Sequence, residues 1–310
     1  MKALSQYIWK NGSIIPWESA TTHVLTHSLH YSGAVFEGIR AYNTPNGACI
    51  FRAQEHFQRL IESAATYHIQ LPYTCDELIE ATRQLIQKNN LKSCYIRPIV
   101  YHGYGSMGII PKDNPVDVVI AAWEWGAYLG EDGIQNGIRC TLSPWEKFSS
   151  KALPATAKCT ANYANSFLAK HDALSRGFDE AILLSSTGFV AEGPGENIFI
   201  VKDQHISSPS ISDDALDGIT AHTIIDIIRH LGYTFDYRHV QKEDLFSADE
   251  LFFTGTAAEV TPIREIDHSP IGNGGKGPIT SQIQDLFFQI VNGKSNDFSH
   301  WLTPASLVQQ

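Results

Sequence analysis

Apolar and polar residues alternate along the first half of the chain in a way that predicts two hairpins, two helices and two longer strands. The clearest hairpin joins residues 7–9 to residues 13–15 through Asn11-Gly12, because both turn residues tolerate positive φ. Apolar residues recur at helical spacing over residues 54–67, and Thr74 with Glu77 forms a capping-box pattern at the start of a second helix. The remaining predicted strands of this half are residues 39–42, 48–51, 94–101 and 116–123.

The second half again mixes strands with helices. Predicted strands cover residues 138–142, 181–184, 197–201 and 250–253, and predicted helices cover 162–175, 220–230 and 280–291. Hairpins mixed with helices indicate an α+β (mixed α/β) fold of two domains and not a doubly wound parallel sheet. The Gly-rich polar stretch 125–137 is typical of a connection. We therefore expect a smaller N-terminal α/β domain at 1–124, a connecting loop at 125–137 and a larger C-terminal domain at 138–310.

Composition and charge exclude several classes of partner. The 310 residues are 43% apolar and 18% charged, which is a globular composition, and the formal net charge is −10. Such an acidic chain is poorly suited to bind nucleic acid by bulk charge. No apolar run approaches the ~20 residues of a membrane-spanning helix, and no secretory signal is visible. Five scattered cysteines without a Cys-x-x-Cys pair indicate a reducing compartment, so we expect a cytoplasmic protein.

One lysine lies in an unusual local context. The stretch from Lys147 to His171 contains no aspartate or glutamate, yet it holds Lys151, Lys158 and Lys170. Small residues flank Lys158 and would let a bound group approach closely. A lysine without a carboxylate partner and near other cations loses its proton more easily, and Schiff-base chemistry requires a neutral amine. The alternative is an ordinary solvated loop lysine, which is the usual state of this residue.

Three further segments could bind a cofactor or an anion. Glu192 follows a predicted strand among small residues and could hold a protonated ring nitrogen, or could be a solvated carboxylate at a hairpin edge. Gly218 and Thr220 open a predicted helix, where unpaired N–H groups favour an anion, although an ordinary N-cap threonine explains them equally well. Residues 255–259 follow an apolar strand with small residues, as a backbone anion nest would.

A metal site is a weaker possibility. His23, His27 and His30 fall at helical spacing and could mimic zinc ligands. No ligand-spaced cysteine, aspartate or glutamate accompanies them, and leucine and valine residues are interleaved. We therefore expect packed or hydrogen-bonded histidines and no metal, and a zinc hydrolase remains a distant alternative.

A series of short motifs occurs in order along the chain: His30-Tyr31, Phe36-Glu37-Gly38-Ile39-Arg40, Phe57-Gln58-Arg59-Leu60, Tyr95-Ile96-Arg97-Pro98, Trp125-Gly126-Ala127-Tyr128, Ala157-Lys158, Asn162-Tyr163, Glu192-Gly193, Gly195-Glu196-Asn197, Gly218-Ile219-Thr220 and Gly255-Thr256-Ala257-Ala258-Glu259. Taken together, these motifs resemble those of the branched-chain amino acid aminotransferases, which are class IV pyridoxal-phosphate enzymes of fold type IV. The resemblance extends from about residue 7 to residue 288.

The resemblance implies a fold and an activity. Each domain would be a mainly antiparallel or mixed sheet or barrel with packed helices, and the C-terminal domain would bind pyridoxal 5′-phosphate. The enzyme would move the amino group between L-leucine, L-isoleucine or L-valine and 2-oxoglutarate through a Schiff base, by ping-pong chemistry, giving 2-oxo acids and L-glutamate. A homodimer or a larger assembly of dimers is implied as well. A D-amino-acid or (R)-amine transaminase, or an aminodeoxychorismate lyase, is the alternative within the same fold.

The resemblance also implies a role for each matching residue. Lys158 would bond to the cofactor and shuttle the proton, and Glu192 would keep the pyridine nitrogen protonated. The remaining cofactor contacts would be Arg59, Tyr163, Leu216, Gly218, Ile219, Thr220 and Thr256. Tyr95 with the Thr256-Ala257 turn would take the substrate α-carboxylate, and Arg97 the distal carboxylate of glutamate. The apolar substrate pocket would comprise Tyr31, Phe36, Gly38, Trp125 and Tyr128. Asp217 departs from the pattern, because proline is common there, and it puts a negative charge near the predicted phosphate site.

Overall fold

A computed structural model of the chain describes residues 4–126 and 128–305. They divide into two compact units. Unit 1 contains the described residues up to Trp125, together with Ala157–Ala161 and those from Gln289 onward, and unit 2 contains Gly126–Thr156 and Asn162–Phe288. Lys158 thus belongs to unit 1, whereas the predicted domain boundaries would assign it to the C-terminal domain. Those boundaries remain a prediction.

Strands and helices of the described residues follow each other in mixed order. The strands are β1 (Tyr7–Lys10), β2 (Ser13–Pro16), β3 (Ala34–Phe36), β4 (Ile39–Thr44), β5 (Gly47–Phe51), β6 (Cys94–His102), β7 (Val116–Trp123), β8 (Ile138–Leu142), β9 (Glu180–Leu184), β10 (Val190–Glu192), β11 (Asn197–Lys202), β12 (His205–Pro209), β13 (Thr234–Arg238), β14 (Glu250–Gly255), β15 (Glu259–Ile266), β16 (Ser269–Pro270) and β17 (Leu302–Pro304). The α-helices are α1 (His27–Tyr31), α2 (Ala53–Thr66), α3 (Cys75–Lys88), α4 (Glu131–Asn136), α5 (Tyr163–Ser175), α6 (Ile219–His230), α7 (Lys242–Phe246) and α8 (Pro278–Val291).

Unit 1 is built on an antiparallel sheet. Its strand order is β17-β5-β4-β6-β7-β1-β2, and β3 pairs with β6 beside this path. Helices α2 and α3 pack on each other and on the sheet. Their apolar stripes bury Phe57, Leu60, Leu78 and Leu85 in one core with Ile96 of β6. The predicted hairpins and helices of this half are therefore confirmed.

The start of α3 shows how local sequence sets an element boundary. The amide of Glu77 donates to the Thr74 hydroxyl (3.3 Å), and the amide of Thr74 donates to a carboxylate oxygen of Glu77 (2.8 Å). Two otherwise unpaired N–H groups are satisfied in this way, as the capping-box pattern predicts.

Unit 2 is built on a mixed sheet. Its strand order is β10-β9-β8-β15-β14-β11-β12-β13, and β16 pairs with β15. The β8–β9, β8–β15 and β12–β13 pairs are parallel, and the other pairs are antiparallel. Its core contains Ile182, Ile198, Phe253 and Ile263. With one antiparallel and one mixed sheet, both flanked by helices, the predicted α+β class is confirmed.

Several elements carry no pattern that predicts them. Strand β12 contains two adjacent serines, yet both are buried, and the Ser208 hydroxyl donates to the carbonyl of Ile198 (2.9 Å). Its parallel partner β13 is mostly exposed and so lacks a buried apolar face. The predicted loop 125–137 contains the short helix α4. No helix in the described ranges combines the length and apolar character needed to cross a bilayer.

Candidate active site

Lys158 lies in the short segment Ala157–Ala161, which forms backbone contacts with β3 in unit 1. The amide of Phe36 donates to the carbonyl of Lys158 (3.0 Å), and the amide of Lys158 donates to the Ser63 hydroxyl on α2 (3.0 Å). Next to it, Cys159 forms a β-bridge with Val35. The ammonium lies over the Phe36 ring, 5.2 Å from the centroid. Backbone contacts on both sides therefore hold the lysine in a defined position.

The surroundings of Lys158 lower its pKa below the ordinary lysine value. Burial is the largest cause, and the guanidinium groups of Arg59 and Arg97 add to it, while Glu37 and Tyr95 oppose it. The acid-free sequence around Lys158 does not explain this lowered pKa, because a lysine of the same stretch, Lys170, still binds a carboxylate, that of Glu180 (Nζ–Oε2, 2.6 Å). The charges that lower the pKa of Lys158 are those of Arg59 and Arg97, which lie in other parts of unit 1.

A buried carboxylate, that of Glu37, binds Arg59, one of the two arginines that lower the pKa of Lys158. Glu37 is fully buried and accepts from Arg59 Nε (2.6 Å), Arg59 Nη2 (2.9 Å) and His56 Nδ1 (2.8 Å). Burial alone would raise the pKa of Glu37, but Arg59 and His56 hold it well below its ordinary value. The pKa of His56 is lowered, chiefly by burial, so its imidazole is neutral near pH 7 and its Nδ1 carries the proton. Glu37 belongs to one of the motifs that carry the resemblance, but the resemblance implies no role for Glu37 or His56.

Tyr95 and Arg97 lie on the same face of β6, as their spacing predicts. Arg97 Nη2 donates to the Tyr95 hydroxyl (2.8 Å), and the guanidinium lies over the Phe36 ring at 4.7 Å. Among the described residues, Arg97 Nε is buried and has no hydrogen-bond partner. Gly38 makes this packing possible, because a Cβ there would lie 2.2 Å from the Tyr95 hydroxyl. Lys158, Phe36, Tyr95 and Arg97 thus form one cluster in unit 1.

The aromatic residues predicted for the substrate pocket are divided between different surroundings. Trp125 packs edge-on against Tyr95 (ring centroids 4.6 Å apart), and its carbonyl accepts from Arg40 Nη2 (2.8 Å). Tyr31 instead packs against His27 and donates through its hydroxyl to the carbonyl of Met107 (2.9 Å). Trp125 and Tyr31 are both more than one-third exposed.

In unit 2, Glu192 ends β10 and its carboxylate is held on both oxygens. Oε1 accepts from the ammonium of Lys147, and Oε2 accepts from the amide of Leu216 (3.0 Å). Both charged side chains of this ion pair are buried. Glu192 is therefore no solvated hairpin-edge carboxylate. Lys147 lies 45 residues away in the chain, and no local pattern predicts that it pairs with Glu192.

The start of α6 forms a compact turn with Gly218 as the N-cap residue. A Cβ on Gly218 would lie 1.9 Å from Asn197 Oδ1, so a close backbone approach requires glycine here. Asn197 Nδ2 donates to the carbonyl of Leu216 (2.8 Å) and fixes the preceding loop. Ile219 and Thr220 follow, and both are buried. Their amides belong to the first turn of a helix, where the macrodipole favours an anion.

The unusual Asp217 is paired within its own turn. Its carboxylate contacts His222 Nε2 (2.6 Å) one helical turn further on, and both side chains are about half exposed. When His222 is protonated, this contact offsets the negative charge at the predicted phosphate site.

The other predicted residues of unit 2 lie in two places. Thr256 and Ala257, both partly buried, form the turn between β14 and β15, where Gly255 pairs with Glu259. Tyr163 begins α5 and lines a cavity of about 390 Å³ that Tyr128 and Lys170 also line. Ala127 lies outside the described residues.

Each of the three histidines considered for zinc makes a local contact. His27 Nε2 binds the carbonyl of Gly108 (2.8 Å), His30 Nε2 that of Val24 (2.9 Å), and His23 Nδ1 accepts from the amide of Leu25 (3.1 Å). In the ranges 4–126 and 128–305, no group of three or more His, Cys, Asp or Glu side chains could hold a metal ion.

Comparison with known proteins identifies the class and then the family. Residues 34–266 match the family model described as amino-transferase class IV. The branched-chain-amino-acid aminotransferase of Pseudomonas aeruginosa is 47% identical over 296 residues, which cover 96% of each chain. The crystal structure of the Escherichia coli branched-chain amino acid aminotransferase matches with a TM-score of 0.96 at 42% identity, covering 97% of this chain and all of that one. That of the Thermobaculum terrenum enzyme in its PLP form matches with a TM-score of 0.92 at 34% identity, covering 99% and 100%.

The chain therefore belongs to the branched-chain-amino-acid aminotransferases of class IV. This confirms the predicted family, the fold type and the enzyme class. The donor groups also fit pyridoxal phosphate chemically: an amine with a lowered pKa, a buried carboxylate, a guanidinium and a helix start capped by glycine.

Proposed function

We propose that this enzyme transfers the amino group between L-leucine, L-isoleucine or L-valine and 2-oxoglutarate, with pyridoxal 5′-phosphate as cofactor. The products are branched-chain 2-oxo acids and L-glutamate, formed in two half-reactions on one site. The observation that carries the proposal is the cluster of Lys158, Tyr95 and Arg97, which combines an amine of lowered pKa with two groups able to bind carboxylates.

The cofactor residues divide by the part of pyridoxal phosphate they would hold. The phosphate would be bound by Arg59, by the helix start formed by Gly218, Ile219 and Thr220, and by Thr256. The ring would be held by Glu192 at its nitrogen, Tyr163 at its hydroxyl and Leu216 at its face. When bound, the protonated pyridine ring withdraws electrons from the substrate Cα and so makes its proton acidic.

Lys158 would bond to the cofactor and would move the proton at the substrate Cα. The second task requires a neutral amine within a buried site, and the lowered pKa of Lys158 increases the neutral fraction near pH 7. The Phe36 ring and the burial that lowers this pKa also keep bulk water away from the amine. Arg59 and Arg97 add positive charge that favours an anionic substrate.

The substrate residues must accept an alkyl chain in one half-reaction and a carboxylate in the other. Tyr95, with the Thr256-Ala257 turn, would bind the α-carboxylate common to both amino acids. Arg97 would bind the distal carboxylate of glutamate. Its buried Nε has no hydrogen-bond partner among the described residues, which supports this assignment because a buried charged donor strongly favours an acceptor. Tyr31, Phe36, Gly38, Trp125 and Tyr128 would surround leucine, isoleucine or valine.

The assembly would be a homodimer or a larger assembly of dimers. Unit 1 exposes several large apolar side chains on and near α1 and in the loop between β6 and β7, with Val24 71%, Leu29 63%, Ile109 76% and Ile110 75% exposed. Exposed apolar groups of this size favour a protein partner. The five cysteines are free thiols, which supports the cytoplasm as the location.

A spectroscopic experiment tests the proposed cofactor bond. The purified holoenzyme should be yellow, and borohydride should bleach it and leave a pyridoxyl adduct on Lys158 that peptide mass analysis identifies. Lys158→Ala should lose the adduct and the activity, whereas Lys151→Ala, which changes an exposed lysine of the same segment, should keep both. A colourless protein, or an active Lys158→Ala variant, would refute the proposal.

A second experiment separates the branched-chain reaction from the other reactions of the fold. L-Leucine should convert the cofactor to its amino form in single-turnover measurements, and 2-oxoglutarate should convert it back. Amino transfer from D-alanine but not from L-leucine would favour the D-amino-acid alternative. Release of pyruvate from aminodeoxychorismate would favour the lyase.

A further inference from the structure

Glu192, the carboxylate proposed to bind the pyridine nitrogen, forms an ion pair with the buried ammonium of Lys147. Glu192 accepts from Lys147 on one oxygen and from the amide of Leu216 on the other (3.0 Å). The two charged side chains are each 7% exposed. The carboxylate is thus anchored from two separate segments, and the buried pair has little water to replace a lost partner.

Lys147 is itself held firmly. Its amide donates to the carbonyl of Leu184 at the end of β9 (2.7 Å), and four residues earlier the amide of Ser143 donates to Ile182 (2.9 Å). The ammonium also lies over the Phe148 ring, 4.6 Å from the centroid. These contacts place the cation beside Glu192 independently of any bound molecule.

A neighbouring buried acid, Glu196, shows how this part of unit 2 raises the pKa of a carboxyl group. Glu196, four residues further along the same turn, is buried and accepts from the amide of Gly195 (3.0 Å). Burial raises its pKa to about 8, and the charges of Glu180 and Glu192 contribute, while Lys170 opposes them. Glu192 is therefore bound directly by Lys147, and its charge also acts on Glu196.

We propose that Lys147 is a positioning residue for the aminotransferase reaction, which holds Glu192 towards the ring nitrogen of the cofactor. The proposal rests on the proposed function, in which Glu192 binds that nitrogen. Without the ammonium, Oε1 of Glu192 loses its partner and the amide of Leu216 alone anchors the buried carboxylate, so the carboxylate is held less firmly towards the ring nitrogen. The ring would then withdraw electrons less effectively.

Three variants of the holoenzyme test this. Lys147→Met removes the charge, Lys147→Arg keeps it, and Lys151→Met is the control on an exposed lysine of the same segment. We expect kcat for L-leucine to fall about 30-fold in Lys147→Met, as for removal of one partner of a buried charge pair, with KM changed less than about threefold. Lys147→Arg should recover most of the loss, and the absorption band of the bound cofactor and its pH profile should shift in Lys147→Met only.

A double variant keeps the test decisive if Lys147→Met folds poorly. Lys147→Met/Glu192→Gln removes both charges and leaves a neutral pair of similar size. Adding Lys147→Met to Glu192→Gln should change kcat less than about threefold, because the lysine acts through the carboxylate. A full 30-fold loss in the Glu192→Gln background, or an unchanged spectrum and kcat in Lys147→Met, would overturn the proposal. Failure of the proposed function is distinguishable, since the wild-type protein would then lack the cofactor band.

Discussion

Glu37 binds Arg59 with both of its carboxylate oxygens, at 2.6 Å from Nε and 2.9 Å from Nη2. This fork-on-fork arrangement fixes the plane of the guanidinium. Glu37 is fully buried while Arg59 is 14% exposed at its side chain, so the carboxylate anchors the arginine from inside unit 1. Glu37 therefore orients Arg59, the residue proposed to bind the cofactor phosphate.

The first prediction concerns cofactor affinity. In Glu37→Gln the amide can accept only one of the two arginine bonds, so Arg59 loses its fixed orientation. We expect the dissociation constant for pyridoxal phosphate to rise about tenfold or more, as for loss of a charged hydrogen bond. Titration of the apoenzyme by absorbance measures this. Glu55→Gln is the matched control, because Glu55 pairs with Arg52 on the same helix but is 42% exposed. Equal affinity in wild type and Glu37→Gln would contradict the prediction.

The second prediction concerns acid stability. The pKa of Glu37 lies below its unfolded value of 4.5, so its contribution to stability is present above pH 4.5 and is lost as the pH falls below that value. Urea unfolding at pH 7 should show Glu37→Gln less stable than wild type by roughly 3 kcal/mol, because the substitution leaves the Arg59 charge without its buried partner. The difference should shrink steadily between pH 4.5 and pH 3. A gap that stays constant over this range would count against the ion pair as its cause.

The sequence predicts best those features that depend on neighbouring residues. The Asn11-Gly12 turn, the Thr74–Glu77 capping box and the strand at 116–123 each follow from side chains close in the chain, and each is present. Long-range pairs leave no such pattern. Glu37 and Arg59 are 22 residues apart and Lys147 and Glu192 are 45 apart, so only the fold brings their charges together. For the same reason, strand β12 escapes prediction, since its buried serines find their partners across the sheet.

The third prediction concerns Glu196, whose pKa is raised to about 8 by burial, Glu180 and Glu192. A carboxyl group that holds its proton more tightly when folded loses stability as the pH rises from about 4.5 through 8, after which the loss is complete. Glu196→Gln removes this dependence. Its melting temperature should match that of wild type near pH 5 and exceed it by roughly 5 °C at pH 9. Glu243→Gln, at an exposed position on α7, is the control and should follow wild type at both pH values.

The fourth prediction concerns the turn before α6. Gly218→Ala places a Cβ at 1.9 Å from Asn197 Oδ1, so the asparagine must move and release the carbonyl of Leu216. We expect weaker binding of pyridoxal phosphate, by about tenfold, since the helix start shifts from its position. Gly195→Ala should be mild, because a Cβ there meets nothing within 4 Å. The double variant Gly218→Ala/Asn197→Ala relieves the clash, and a loss equal to the sum of both single losses would show that the contact is not the cause.

The fifth prediction separates the two substrates by charge. Arg97 has a buried Nε without a hydrogen-bond partner in the part of the chain that the structure describes, and its guanidinium lies over the Phe36 ring, so we expect it to bind a carboxylate. Arg97→Met keeps much of the apolar bulk and removes the charge. KM for 2-oxoglutarate and for L-glutamate should rise about 30-fold, as for loss of a charged hydrogen bond, while KM for L-leucine should change less than about threefold. Arg83→Met, on α3 of the same unit, is the control. An equal rise for leucine and glutamate would mean that Arg97 shapes the pocket as a whole and does not select the distal carboxylate.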